Sequence, residues 1–171
     1  DSNLISIENL SKSFFKNTFF SNKKISVNAL ENINLQIGYG EVVSLVGESG
    51  SGKSTLGRIL LKLTIPDKGT IRFDGLNFYS NKSAELKKFR STIQIIFQDP
   101  YSSLDPKRTI GYSISEPLII QNEYRTTEIE DKVRKLLTAV GLDPNSAKRY
   151  PHEFSGGQRQ RIAIARAIST K

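Results

Sequence analysis

Residues 47–54 read Gly-Glu-Ser-Gly-Ser-Gly-Lys-Ser, and no other stretch restricts what this chain can fold into as tightly. The spacing G-x-x-x-x-G-K-[ST] is met in full. Gly47, Gly50 and Gly52 let the backbone turn so that successive N–H groups converge on phosphate oxygens. A helix starting near Lys53 adds unpaired N–H groups and the positive end of its dipole. In such a loop Lys53 reaches the β- and γ-phosphates of a nucleotide, and the Ser54 hydroxyl ligates Mg²⁺. Glu48, Ser49, Ser51 and Thr55 complete the stretch expected to wrap the nucleotide. The flanks agree with this reading. Residues 41–46 (EVVSLV) form a short β-rich run ahead of the loop, and Leu56, Ile59, Leu60 and Leu63 recur at helical spacing behind it. A strand–loop–helix unit argues for an α/β core with a parallel sheet. The loop alone does not separate GTPases, kinases, helicases and transport ATPases.

The rest of the chain divides into a strand-rich first part and a mainly helical stretch from about residue 109. Residues 4–10, 30–37 and 70–74 alternate as half-buried strands, and 93–97 (IQIIF) reads as a buried strand. Residues 14–29 are rich in Asn, Ser and Lys and read as a loop, although they carry Phe14, Phe15, Phe19 and Phe20. Residues 82–90 suggest a short polar helix, and 99–106, with two prolines, a loop. Ile129, Val133, Leu136, Leu137 and Val140 mark a helix stopped by Gly141. A last helix is expected to start at Ser155-Gly156-Gly157 and to run to the end.

Composition removes several chemistries. With no cysteine there is no disulfide and no thiolate metal site, and a single histidine, His152, gives a histidine-based triad or cluster little to work with. The longest apolar run, 162–165, is far short of the roughly 18 residues a membrane span needs. The first residues carry no secretory signal pattern. A net charge of +8 attracts anions in general; the basic residues are scattered, so nucleic acid is not expected as a partner.

A second motif narrows the class. Residues 154–161 read Phe-Ser-Gly-Gly-Gln-Arg-Gln-Arg, another helix start at which Ser155 can cap and two glycines expose backbone N–H groups. On physics alone this is as much a plain cap as an anion site. The stretch resembles the LSGGQ signature of ATP-binding cassette (ABC) ATPases, with Phe154 in place of the usual leucine. Gln98, after 93–97, resembles the family's Q-loop glutamine. Phe14 resembles the aromatic that stacks on adenine, with Phe15 as a competitor and ordinary packing as the alternative for both. Residues 97–106 (FQDPYSSLDP) and 150–161 (YPHEFSGGQRQR) are similar to the oligopeptide/dipeptide/nickel importer branch, and Gln158 with 161–167 to its F-type ATPase subunit.

The resemblance implies a P-loop NTPase (RecA-like) core with an N-terminal antiparallel β-subdomain and an inserted helical subdomain. The first would fill about 1–98, and the helical subdomain with its signature helix about 99–171. It implies ATP held between two cassettes, with Ser155, Gly156, Gly157 and Gln158 meeting the nucleotide bound on the partner. Gln98 would link Mg²⁺ and the γ-phosphate to the helical region. The implied partners are a second, paralogous ATPase subunit, two membrane permease subunits and, indirectly, an external solute-binding protein. The implied location is the cytoplasmic face of the membrane. The family's Walker B acid pair and switch histidine follow the signature and have no counterpart in these residues. Residues 95–99 and 70–74 are poor substitutes, and His152 precedes the signature. The 171 residues alone are therefore expected to be unstable and not to hydrolyse ATP. A non-transport ABC ATPase and a truncated cassette that only binds nucleotide stand as alternatives. The solute is not legible.

Overall fold

The structure, a computed structural model, describes residues 3–17, 24–79, 89, 92–99, 103–121 and 124–170. The chain forms two compact units, Asp1–Lys82 and Ser83–Lys171.

The first unit is built on two long strands, β1 (Asn3–Asn17) and β2 (Lys24–Gly38), followed by helix α1 (Lys53–Leu60) and strands β3 (Lys68–Phe73) and β4 (Leu76–Asn77). All pairings are antiparallel and the order is β2-β1-β3-β4. Alternation along β1 and β3 buries Ile7, Leu10 and Ile71, while Leu56 and Ile59 are the buried residues of α1. The β1–β2 ladder runs through Phe14↔Val27 and Phe15↔Ser26 out to Asn17↔Lys24, so much of the expected 14–29 loop is strand. Aromatic and β-branched residues opposite one another outweigh the polar composition that suggested a loop. Phe19 and Phe20 lie outside the described residues.

Two strand expectations are not met. Residues 41–46 and 93–97 carry no strand among the described residues. Val42 and Val46 are 93% and 88% exposed, and Ile95, Ile96 and Phe97 are exposed as well. A β-rich sequence becomes a strand only where a neighbour accepts and donates its backbone hydrogen bonds, and neither segment has a ladder partner among the described residues. Among the described residues the strands pair only antiparallel, and the expected parallel pairing is not among them.

The second unit holds α2 (Ile110–Gln121), α3 (Thr126–Ala139), short 3-10 turns at Pro144–Lys148 and Pro151–Glu153, and α4 (Gly156–Ala167). Its core joins Leu104, Ile110, Ile114, Val133, Leu137, Leu142, Phe154, Ile162 and Ala165. The apolar stripe of α3 faces this core as its spacing requires, with Ile129, Leu136 and Val140 at the margin. The expected polar helix at 82–90 lies almost wholly outside the described residues. Among the described residues no helix is long and apolar enough to cross a membrane.

Candidate functional site

The loop ahead of α1 closes on its own lysine. Lys53 Nζ donates to the carbonyls of Gly47 and Glu48, both at 2.6 Å, and to Ser51 Oγ at 3.1 Å. The ammonium thus sits inside the turn of the loop. A Cβ at Gly47 would lie 2.8 Å from Ser51 Oγ, so a side chain there would make the serine hydroxyl turn away. Gly52 is the N-cap of α1 at φ 91°, and a Cβ there would collide with the Ala29 carbonyl and the Leu30 side chain of β2. That close approach seats the loop on the sheet. Gly52 offers no side chain to cap α1, so the first N–H groups of the helix have no side-chain cap among the described residues. Ser54 is exposed and its hydroxyl takes no partner among the described residues, which fits a hydroxyl available to a hard cation.

The register separates the two competing phenylalanines. Lys12 pairs with Leu30 and Phe14 with Val27, across one bulge, so Lys12 and Phe14 share one sheet face and Phe15 takes the other. Lys12 Nζ lies 5.5 Å from the centre of the Phe14 ring, as expected for two residues on one face. Leu30, opposite Lys12, is the side chain that Gly52 approaches. Phe14 and Val27 therefore form a partly exposed apolar pair on the face against which the phosphate loop is seated. Sequence reasoning missed Val27, because its partner across the ladder is invisible once 14–29 is taken as a loop.

This ramp is braced from the side. Asp67 accepts from Lys12 Nζ and from the Ser13 N–H, both at 2.7 Å, and its own N–H donates to the Ser11 carbonyl. The lysine hydrogen bond first, then the Ser13 amide, hold the Asp67 carboxyl below its ordinary value. At the far end of β2 the Tyr39 hydroxyl donates to Asp74, which raises the phenol pKa, and Glu41 accepts from the Gly38 N–H.

In the second unit, Ser155 to Gln158 form a reciprocal cap. Ser155 Oγ accepts from the Gln158 N–H at 3.3 Å, and Gln158 Oε1 accepts from the Ser155 N–H at 2.9 Å. The pattern Ser-x-x-Gln was the signal for this, and the sequence reading took only its first half. The N–H groups of Gly156 and Gly157, at the first two helical positions, have no acceptor among the described residues. The approach to this helix is stiffened by Glu153, which accepts from the Tyr150 N–H at 2.6 Å and from Arg149 Nε at 3.1 Å. Those bonds, the Tyr150 amide first, lower the Glu153 pKa. Phe154, the departure from the usual leucine, is buried in the core of the unit under the Arg149 guanidinium, so the larger ring is packed rather than displayed. The only histidine, His152, stacks on Tyr150 and carries no catalytic geometry.

Phe14 and 47–55 thus gather in the first unit, whereas Gln98 and Ser155–Gln158 belong to the second. Gln98 is exposed within its segment.

An antiparallel β-unit with a phosphate loop, followed by a helical unit with a second glycine-opened helix, defines an ATP-binding cassette. The family model described as ABC transporter matches residues 30–171, and the chain belongs to that family. It is 55% identical over 143 residues to the glutathione import ATP-binding protein GsiA of Pectobacterium atrosepticum, covering 84% of this chain and 23% of that protein. It is 48% identical over 161 residues to the putative oligopeptide transport ATP-binding protein YkfD of Bacillus subtilis, covering 94% of this chain and 49% of that one. The chain therefore spans about a quarter to a half of these relatives. Among solved structures, the dimeric post-hydrolysis cassette MJ0796 bound to ADP and Pi superposes with a TM-score of 0.80 at 32% identity, over 97% of this chain and 69% of that one.

Proposed function

We propose that this chain is the nucleotide-binding part of the ATPase subunit of an importer, and that ATP binding and hydrolysis there drive uptake of a peptide-like solute through a membrane permease. The observation that carries the reading is the pair of glycine-opened helix starts, 47–55 with Lys53 and 155–158 with its cap, in a chain similar to peptide and glutathione import ATPases. Residues 1–98 act as the β-subdomain and phosphate-loop core, and 99–171 as the helical subdomain.

The phosphates displace the Gly47 and Glu48 carbonyls from Lys53, so the ammonium exchanges two neutral acceptors for charged ones. Gly47 to Thr55 supply N–H donors, and Phe14, flanked by Val27, offers the adenine an apolar face. Mg²⁺, when bound, neutralises charge on the transferring phosphoryl group; Ser54 and Gln98 are the residues of this chain that hold it. Ser155, Gly156, Gly157 and Gln158 present N–H groups to the nucleotide of a second cassette. Closure of the two cassettes on ATP and reopening afterwards is a ligand-driven population shift. The partner cassette is a paralogue, the complex includes two permease subunits and an external solute-binding protein, and it sits at the cytoplasmic face of the membrane.

The test is ATP-dependent uptake of di- and oligopeptides, glutathione and nickel in a strain dependent on this transporter, with Lys53→Ala as the inactive control. Uptake of a peptide-like solute that Lys53→Ala abolishes supports the reading. ATP turnover with no uptake of any of these moves the protein to the non-transport branch.

A further inference from the structure

Arg166 lies in the last turn of α4, three turns beyond the Ser155 cap, and reaches two other elements of the second unit at once. Nη1 donates to the Ser103 carbonyl at 2.8 Å, and Nη2 donates to Glu116 Oε2 at 2.7 Å. Ser103 follows Gln98 by five residues, and Leu104 beside it is buried against the same core as Ile162 and Ala165 of α4. Glu116 stands on α2 directly before Pro117, where the missing proline N–H interrupts the helical ladder. One planar fork thus fastens Ser103 and the weak point of α2 to the helix that carries the second glycine start. Two parallel donors in fixed geometry are what a guanidinium supplies and an ammonium does not.

We infer that Arg166 is a positioning residue that passes displacement of the Gln98 segment to α4, and so to the Ser155–Gln158 start. It touches no nucleotide itself. A shift of Ser103 has to move or break the bond its carbonyl accepts from Arg166. The inference rests on the proposed role of Gln98 as a nucleotide contact.

The test is amide hydrogen exchange on the full-length protein in its native complex, with and without Mg·ATP, for wild type, Arg166→Ala and Arg166→Lys. In wild type, nucleotide should protect 47–55 and change exchange across 156–162. In both variants the 47–55 protection should persist while the 156–162 response is lost. Turnover in the same samples should fall about tenfold, with KM for ATP within about twofold. Arg166→Lys keeps the positive charge but replaces the rigid planar fork with a shorter, single ammonium whose donors are not held in that geometry. A wild-type 156–162 response in Arg166→Lys overturns the inference. So does a variant in which both responses and the unfolding midpoint fall together, since Arg166 would then serve only the fold. Absence of 47–55 protection in wild type instead overturns the nucleotide-site reading, and the relay with it.

Discussion

Helix α1 starts behind Gly52 and helix α4 opens with Gly156 and Gly157, yet their first turns are closed in opposite ways. At α4, Ser155 and Gln158 satisfy each other's backbone, so the start is built before any ligand arrives. At α1, Gly52 has no side chain to offer, and the charge in the loop belongs to Lys53, parked on the Gly47 and Glu48 carbonyls. A start that caps itself keeps its shape with or without an anion. One that lacks a cap leaves its N–H groups to water or to a ligand, and is completed by what binds. The structure thus contrasts an open helix start with a self-capped one, and on the proposed function the first is a ligand-completed site and the second a pre-built one.

The hardest way to break this contrast is Lys53→Ala. It removes the internal cation and, on the proposed function, the main phosphate contact with it. ATP affinity of the intact protein should fall by at least about tenfold, and turnover by more than about a hundredfold. Equilibrium nucleotide binding and phosphate release measure the two; unchanged turnover removes the assignment of 47–54. The matching change at α4 is Ser155→Arg, which destroys the cap and fills the approach to the Gly156 and Gly157 N–H groups. It should leave ATP binding to a single subunit intact and abolish ATP-induced association of cassettes, read by light scattering. Normal association would mean that the second start does not meet a partner's nucleotide.

Much of this contrast was legible in the sequence, and the gaps have physical causes. The motif 47–54 and the helix behind it are local, fixed by residue type and spacing, and the structure follows them. The core stripe of α3 is equally local. Residues 41–46 and 93–97 were misread because β-propensity states what fits a ladder and does not supply one. The hairpin through Phe14 and Val27 was missed for the converse reason, since its polar tip hid a strong cross-strand pairing. Phe154 looked like a blemish in a motif until the core showed where its ring goes. Arg166 could not have been picked out at all: its acceptors are 63 and 50 residues away in the chain, and no local pattern announces them.

Gentler changes sharpen the comparison. Gly52→Ala forces a Cβ into the Ala29 carbonyl at a left-handed φ, and should destabilise the first unit by about 2 kcal/mol. Ser155→Ala removes only a cap hydroxyl and should cost about 1 kcal/mol. Denaturant midpoints of the intact protein distinguish them. If Ser155→Ala were the more damaging, the close seating of the phosphate loop on β2 would not be what holds it.

The smallest effect is a pH dependence that each region carries separately. Asp67 braces the strand leading to Phe14, and Glu153 braces the turn leading to Ser155; both carboxyls are held below their ordinary values of 3.8 and 4.5. A group with a depressed folded pKa stabilises the fold above its unfolded pKa and loses that contribution as pH falls through its folded one. Stability should therefore be flat from neutral pH down to about 5 and decline below it. Both groups are solvent-accessible, so water and salt screen them and the decline is shallow. Asp67→Asn should remove part of the acid slope and quicken amide exchange near Phe14 while leaving 156–162 unchanged. Glu153→Gln should do the reverse. If either variant altered exchange at both places equally, the two helix starts would not be independently braced, and the contrast between a ligand-completed and a pre-built site would fail at its structural root.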